Sequence, residues 1–273
     1  MESRMNDQAP DPGREPGIFD RLNNYLLLFY AGACLLMYYS LSGFLYLGGL
    51  TLLSLSVPGI LGILLPLYIL SSRFSIGFRG EYRIHAPAPE ATLLVILVTA
   101  GMIVPVEALS TFMEKKWPPD ADYIKFLLSI KPKGVLSFVA VFFGLAVVTP
   151  VAEEFLFRGF VQRIFMRNMS AWLAITLSSI LFAAAHFDLS ALPAAALLGA
   201  TYGYLFYLTG NLFCPILGHL IFNLVSLLRL NAISEAELET PALGYPSPLL
   251  IGVSLIVVAF ALSRLMSRHH AGD

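Results

Sequence analysis

Six side chains in this sequence have the types and spacing to do acid–base chemistry. The stretch PVAEEFLFRGF, residues 150 to 160, carries Glu153, Glu154 and Arg158; FAAAHF carries His186; GHLIFN carries His219 and Asn223. A carboxylate can take a proton from water, an imidazole can accept or give one, and imidazole and amide groups can donate hydrogen bonds to developing negative charge. One carboxylate with two histidines is also a common zinc set. HExxH, the usual two-histidine helix signature, is missing from the sequence. Each charge at a helix centre in lipid costs roughly 2.5–3.5 kcal/mol on insertion scales, so ionisable groups kept there default to function.

Spacing shows which of these groups can meet. Glu154 and Arg158 are i, i+4 on a helix and can pair. Glu153 points about 100° away and is free for another partner. His219 and Asn223 share a helix face by the same rule. A hairpin with its tip near residues 168–170 brings positions 153 and 186 level, since they lie about equally far from that tip. Counted from the charged edge near Arg163, Glu153 is about 15 Å deep, and His219, counted from Gly210, about 13 Å. One carboxylate, two imidazoles and one amide are therefore expected in a common slab of the cytoplasmic half. Asp188 is read as a local cap, with orientation of His186 as its alternative role.

The elements that must hold them are membrane helices. The 273 residues are 57% hydrophobic with mean hydropathy +0.75, and 13% are charged, where a soluble domain carries about a quarter. Apolar runs of about 20 residues recur from Asn24 onward, while the weak alternation of a transmembrane β-barrel is lacking. The expected fold is an all-α polytopic transmembrane bundle of about eight spans: 23–42, 46–71, 92–113, 134–163, 172–189, 192–209, 212–229 and 247–266. The chain divides into a disordered cytoplasmic tail (1–21), N-terminal transmembrane helices (22–114), an interfacial loop (115–133) with an amphipathic segment from Tyr123 to Ile130, a core carrying the polar motifs (134–230), and an acidic loop, last helix and short basic tail (231–273).

Eight spans put both termini on one side. With that side cytoplasmic, the inside segments hold eleven arginines against Arg229 and five lysines outside, which favours cytoplasmic termini. Glu107 and Arg229 are read as reaching the interface separately. Gly199 and Gly203 form a GxxxG that lets helices approach closely. Cys34 and Cys214 are isolated residues in apolar runs, which excludes a disulfide framework. The net charge of −1 and the lack of a basic run give no sign of nucleic-acid binding.

In order and each on an expected span, EExxxR (Glu153, Glu154, Arg158), FxxxH (Phe182, His186) and HxxxN (His219, Asn223) resemble the CPBP family. That family comprises CAAX prenyl proteases of the Rce1 type and bacteriocin-processing or Abi-type membrane proteins. The resemblance covers about 92–230. It implies an intramembrane endopeptidase that hydrolyses a peptide bond with a glutamate-activated water. Glu153 would be the general base and His186 would help hold the water. His219 and Asn223 would donate to the oxyanion, with Glu154 and Arg158 in support. No cofactor is required on this reading; in a zinc-dependent form, Glu153, His186 and His219 would be the ligands. The expected partners are the bilayer and a peptide or protein substrate, such as a lipidated C-terminal tail, a leader or a membrane-spanning segment. The implied location is a bacterial inner membrane.

Two readings compete. A non-catalytic immunity or adaptor protein would use the polar cluster for packing. A proton-coupled transporter would spread its polar groups through the membrane depth, whereas the spacing here gathers them at one level.

Overall fold

The computed structural model describes residues 16–239 and 244–271. Residues 1–15 of the sequence-read tail lie outside the described residues. The tail reading does not extend to its end: Ile18–Arg21 form a short helix, α1, with Ile18 and Phe19 buried. Two adjacent apolar side chains dock on the bundle, so the chain is tied down before the first span.

Among the described residues, all regular structure is helical. After α1 come α2 (Asn24–Leu47), α3 (Thr51–Arg73), α4 (Phe78–Glu81), α5 (Pro89–Lys116), α6 (Ala121–Ile130), α7 (Val135–Met166), α8 (Ala171–Ala184), α9 (Leu192–Thr209), α10 (Phe213–Ala232), α11 (Glu235–Glu239) and α12 (Pro248–Ala271). Six of them, α2, α3, α5, α7, α10 and α12, are long and apolar enough to cross a membrane. The sequence expectation of eight spans counts α8 and α9 as well. Both make passes in the bundle, but α8 has only 14 residues, short of the roughly 20 that span a hydrocarbon core. The molecule is an integral membrane protein of the polytopic helical class.

The bundle has two faces. One carries the ends nearest the termini: Arg167 donates to Leu22 O and Asn24 Oδ1, Asn211 Nδ2 donates to His85 O, Arg163 binds Glu81, and Arg268 pairs with Glu90. The opposite face carries α6, where Lys131 Nζ donates to Leu230 O and Ile233 O and Lys115 sits over Tyr245. There Arg229 and Glu107 form an ion pair at 2.7 Å between α10 and α5. The sequence reading had each reach the interface alone. Their registers on adjacent helices coincide, and partnering offsets the cost of holding either near lipid.

Glycines set the closest approaches. A Cβ at Gly62, in α3, would lie 2.8 Å from both Cα and N of Tyr38 in α2. Backbone cannot yield as a side-chain tip can. Gly62→Ala is expected to push α2 and α3 apart and cost about 1–3 kcal/mol, or about 3–10 °C in midpoint. Thermal unfolding in detergent checks this, and an unchanged midpoint would show that the two helices slide freely. On α9 the GxxxG pair does more than permit packing. Arg158 Nη2 donates to Gly199 O at 3.0 Å, and Gln162 Nε2 to Gly203 O at 3.0 Å. Two donors one turn apart on α7 thus match two carbonyls one turn apart on α9, exposed because glycine leaves them uncovered.

Candidate active site

The polar stretch of α7 sits between two widened turns. Phe142–Val148 and Phe157–Gln162 follow π-type hydrogen bonding, and Thr149–Leu156 between them is ordinary α-helix. Such turns recur at functional sites because they re-aim side chains without ending the helix. Pro150 gives a local reason for the first. Thr149 N–H closes on Gly144 O, and Pro150, next in the chain, has no N–H to offer the Leu145 carbonyl. Asn223 Nδ2 on α10 fills that vacancy, donating to Leu145 O at 2.9 Å. An unsatisfied carbonyl inside a membrane protein is costly, so this bond ties α10 to α7 at the level of the glutamates.

The two glutamates separate as their angular spacing requires. Glu154 is fully buried and its Oε1 accepts from Arg158 Nη1 at 2.8 Å and from His219 Nδ1 at 2.8 Å. The Arg158 guanidinium also lies 4.3 Å from the Phe182 ring centroid, a cation–π contact. Glu153 turns into a cavity of about 370 Å³, and its side chain is 16% exposed. Among the described residues nothing hydrogen-bonds to its carboxylate; its nearest charged-type neighbour is His219 Nε2, 3.7 Å from Oε2. That separation is too long for a direct bond.

The two imidazoles are fixed differently. His219 is held by Tyr202, stacked at 5.1 Å, and by the edge of Phe182 at 5.9 Å. Its Nδ1 faces the Glu154 carboxylate, an acceptor, so the proton sits on Nδ1 and Nε2 faces Glu153. His186 lies beyond the last turn of α8, not within a span as the sequence reading had it. Its Nδ1 donates back to Phe182 O at 2.9 Å, which leaves the Nε2 lone pair available. Asp188 accepts from Ser190 N, Ser190 Oγ and Ala191 N; it caps the following turn and does not orient His186.

Glu153, His186, His219 and Asn223 all line one cavity, with Tyr38, Tyr39 and Thr149 among its other walls. The sequence reading placed the four in the half of the bundle near the termini. The cavity that they line also reaches toward the opposite face, where Ser42 near the end of α2, Ser54 at the start of α3 and Phe126 of α6 line it. The tyrosines were missed because an aromatic pair in an apolar span gives no signal beyond hydrophobicity. Tyr202 was missed for the same reason.

Among the described residues no three His, Cys, Asp or Glu side chains are grouped to hold a metal ion; His219 Nδ1 and His186 Nδ1 each donate to another acceptor, which leaves the two Nε2 atoms uncommitted.

The cavity of this helical membrane bundle is thus lined by one carboxylate without a hydrogen-bond partner among the described residues, two imidazoles and one amide. Residues 135–225, about a third of the chain, match the family described as type II CAAX prenyl endopeptidase, Rce1-like. The matched range includes all six motif residues and is narrower than the 92–230 over which the sequence resembles the CPBP family. No curated protein and no solved structure matches the chain.

Proposed function

We propose that the protein is a metal-free intramembrane endopeptidase in which Glu153 activates the attacking water. The observation that carries this reading is the division of labour between the glutamates. Glu154 takes the structural bonds, whereas Glu153 faces the cavity with no hydrogen-bond partner among the described residues. A packing network has no use for a carboxylate left open in this way. A base that must reach water does.

The chemistry follows from the donors and acceptors. One O–H of a water in the cavity points to Glu153 and the other to His186 Nε2, leaving an oxygen lone pair for the substrate carbonyl. As the C–O bond forms, Glu153 takes the proton, and it returns that proton to the departing amine as the C–N bond breaks. Asn223 has a second Nδ2–H beyond the one on Leu145 O, and it serves the oxyanion. His219 can donate from Nε2 only when both ring nitrogens carry protons. Oxyanion donors in water-poor sites are worth about 2.7–4 kcal/mol each.

Cavity size restricts the substrate. A spanning helix about 10 Å across and 30 Å long has several times the volume of a 370 Å³ cavity. Its inner wall is Ile63 and Phe157, part of the aromatic core. The space suits a short extended stretch, such as a chain end or leader segment entering from the α6 face, and does not suit an intact transmembrane helix.

The test is purified protein in liposomes with a panel of lipidated tails, leader peptides and spanning peptides, products being mapped by mass spectrometry. Cleavage is expected for the first two classes. Chelator-washed protein is expected to keep its full rate in excess chelator. Loss of rate on chelation, with recovery on adding zinc, would transfer the water to a metal and remove Glu153 as the base.

A further inference from the structure

The turn that presents His186 is held from outside the matched domain. Helix α8 ends at Ala184, and the N–H groups of residues 185–187 close back on the carbonyls of Leu181, Ala183 and Ala184, so the turn that follows begins with Ala185. The Tyr39 hydroxyl, on α2, donates to the Ala185 carbonyl. The Tyr39 ring also meets the Phe187 ring edge-on, with centroids 5.0 Å apart at 78°. Phe187, whose side chain is otherwise exposed, has φ +51°, a left-handed conformation that is uncommon for a bulky residue. His186 lies between these two anchored residues, and its own ring is fixed on Phe182 O. Tyr39 is in turn seated by Tyr38, whose ring packs against it at 5.1 Å, and whose backbone rests on Gly62.

We propose that Tyr39 is a positioning residue that sets the His186 imidazole against Glu153 by clamping residues 185 and 187 from α2. The N-terminal helices then complete the site, and residues 135–225 alone lack a fixed His186 turn. The proposal rests on the endopeptidase reading for its kinetic consequence but not for its structural one.

The experiment uses Tyr39→Phe in the full chain in liposomes, with two readings. The first is kcat and KM on a peptide that the parent protein cleaves. The second is the rate at which diethyl pyrocarbonate modifies His186, followed by peptide mapping. Losing the hydroxyl is expected to lower kcat about tenfold at unchanged KM and unchanged unfolding midpoint, since small misplacements of catalytic groups are this costly. His186 modification is expected to rise several-fold as the turn loosens. Phe187→Ala, which keeps the hydroxyl and removes the ring contact, gives a smaller change in both readings and serves in place of Tyr39→Phe if that variant does not fold. Unchanged kcat with unchanged His186 reactivity overturns the proposal. A raised KM at unchanged kcat overturns it too, by making Tyr39 a substrate contact. If the parent protein cleaves nothing, the endopeptidase reading fails and His186 reactivity alone decides whether Tyr39 clamps the turn.

Discussion

Glu153→Gln is expected to leave the protein folded and inserted while lowering peptide cleavage by about 10³-fold, within the range that a positioned general base supplies. Glutamine keeps the volume and the polar end of glutamate but cannot take a proton from water. The site should tolerate the exchange structurally, because among the described residues no hydrogen bond depends on the Glu153 carboxylate. The measurement is single-turnover cleavage of a tail or leader peptide, alongside the unfolding midpoint of the same preparation. A normal rate in Glu153→Gln sinks the proposed mechanism. A normal biological phenotype with no cleavage in either form returns the protein to the adaptor or immunity reading. A large drop in midpoint would show that Glu153 has a structural partner after all, and the loss of rate could then not be assigned to basicity.

The sequence carries the placement of the site better than its orientation. The pairing of Glu154 with Arg158 follows from an i, i+4 spacing and appears at 2.8 Å. The neighbourhood of His219 and Glu153 follows from counting along the helices, whereas no local pattern shows that His219 Nδ1 bonds to Glu154 Oε1. Other features depend on what no local pattern encodes. Pro150 is visible as a helix disturbance, but that its missing N–H widens the turn and recruits Asn223 to Leu145 O depends on α10 lying alongside. The end of α8 before His186 escapes the hydropathy pattern because Phe187 and Leu189 continue the apolar run into a turn; both are exposed. Tyr38 and Tyr39 read as two more aromatic residues in a span, and only the fold sets them at the cavity wall. Polar groups in an apolar chain announce themselves, whereas aromatic groups that act through one hydroxyl do not.

Arg158→Met is expected to destabilise the protein by about 3–5 kcal/mol, because removing one partner of a buried pair leaves an uncompensated charge. Arg158 is 1% exposed and Glu154 fully buried, so water cannot take over the lost interactions. The substitution strands one lone-pair site on Glu154 Oε1, the Gly199 carbonyl and the face of Phe182 together. In detergent the midpoint should fall by about 10 °C or more, with poor yield from membranes. The double variant Glu154→Gln with Arg158→Met separates charge from packing. It removes both ions, and the glutamine carbonyl still accepts from His219 Nδ1, so most of the lost stability should return. Its cleavage rate should not return with it, since a neutral amide replaces the carboxylate that bonds His219 Nδ1 and holds the imidazole facing Glu153. Stability recovered together with full activity would show that Glu154 serves only the fold. Single-variant unfolding within a degree or two of the parent would mean that the pair is hydrated, and the whole account of a dry, charge-balanced cluster behind Glu153 would go with it.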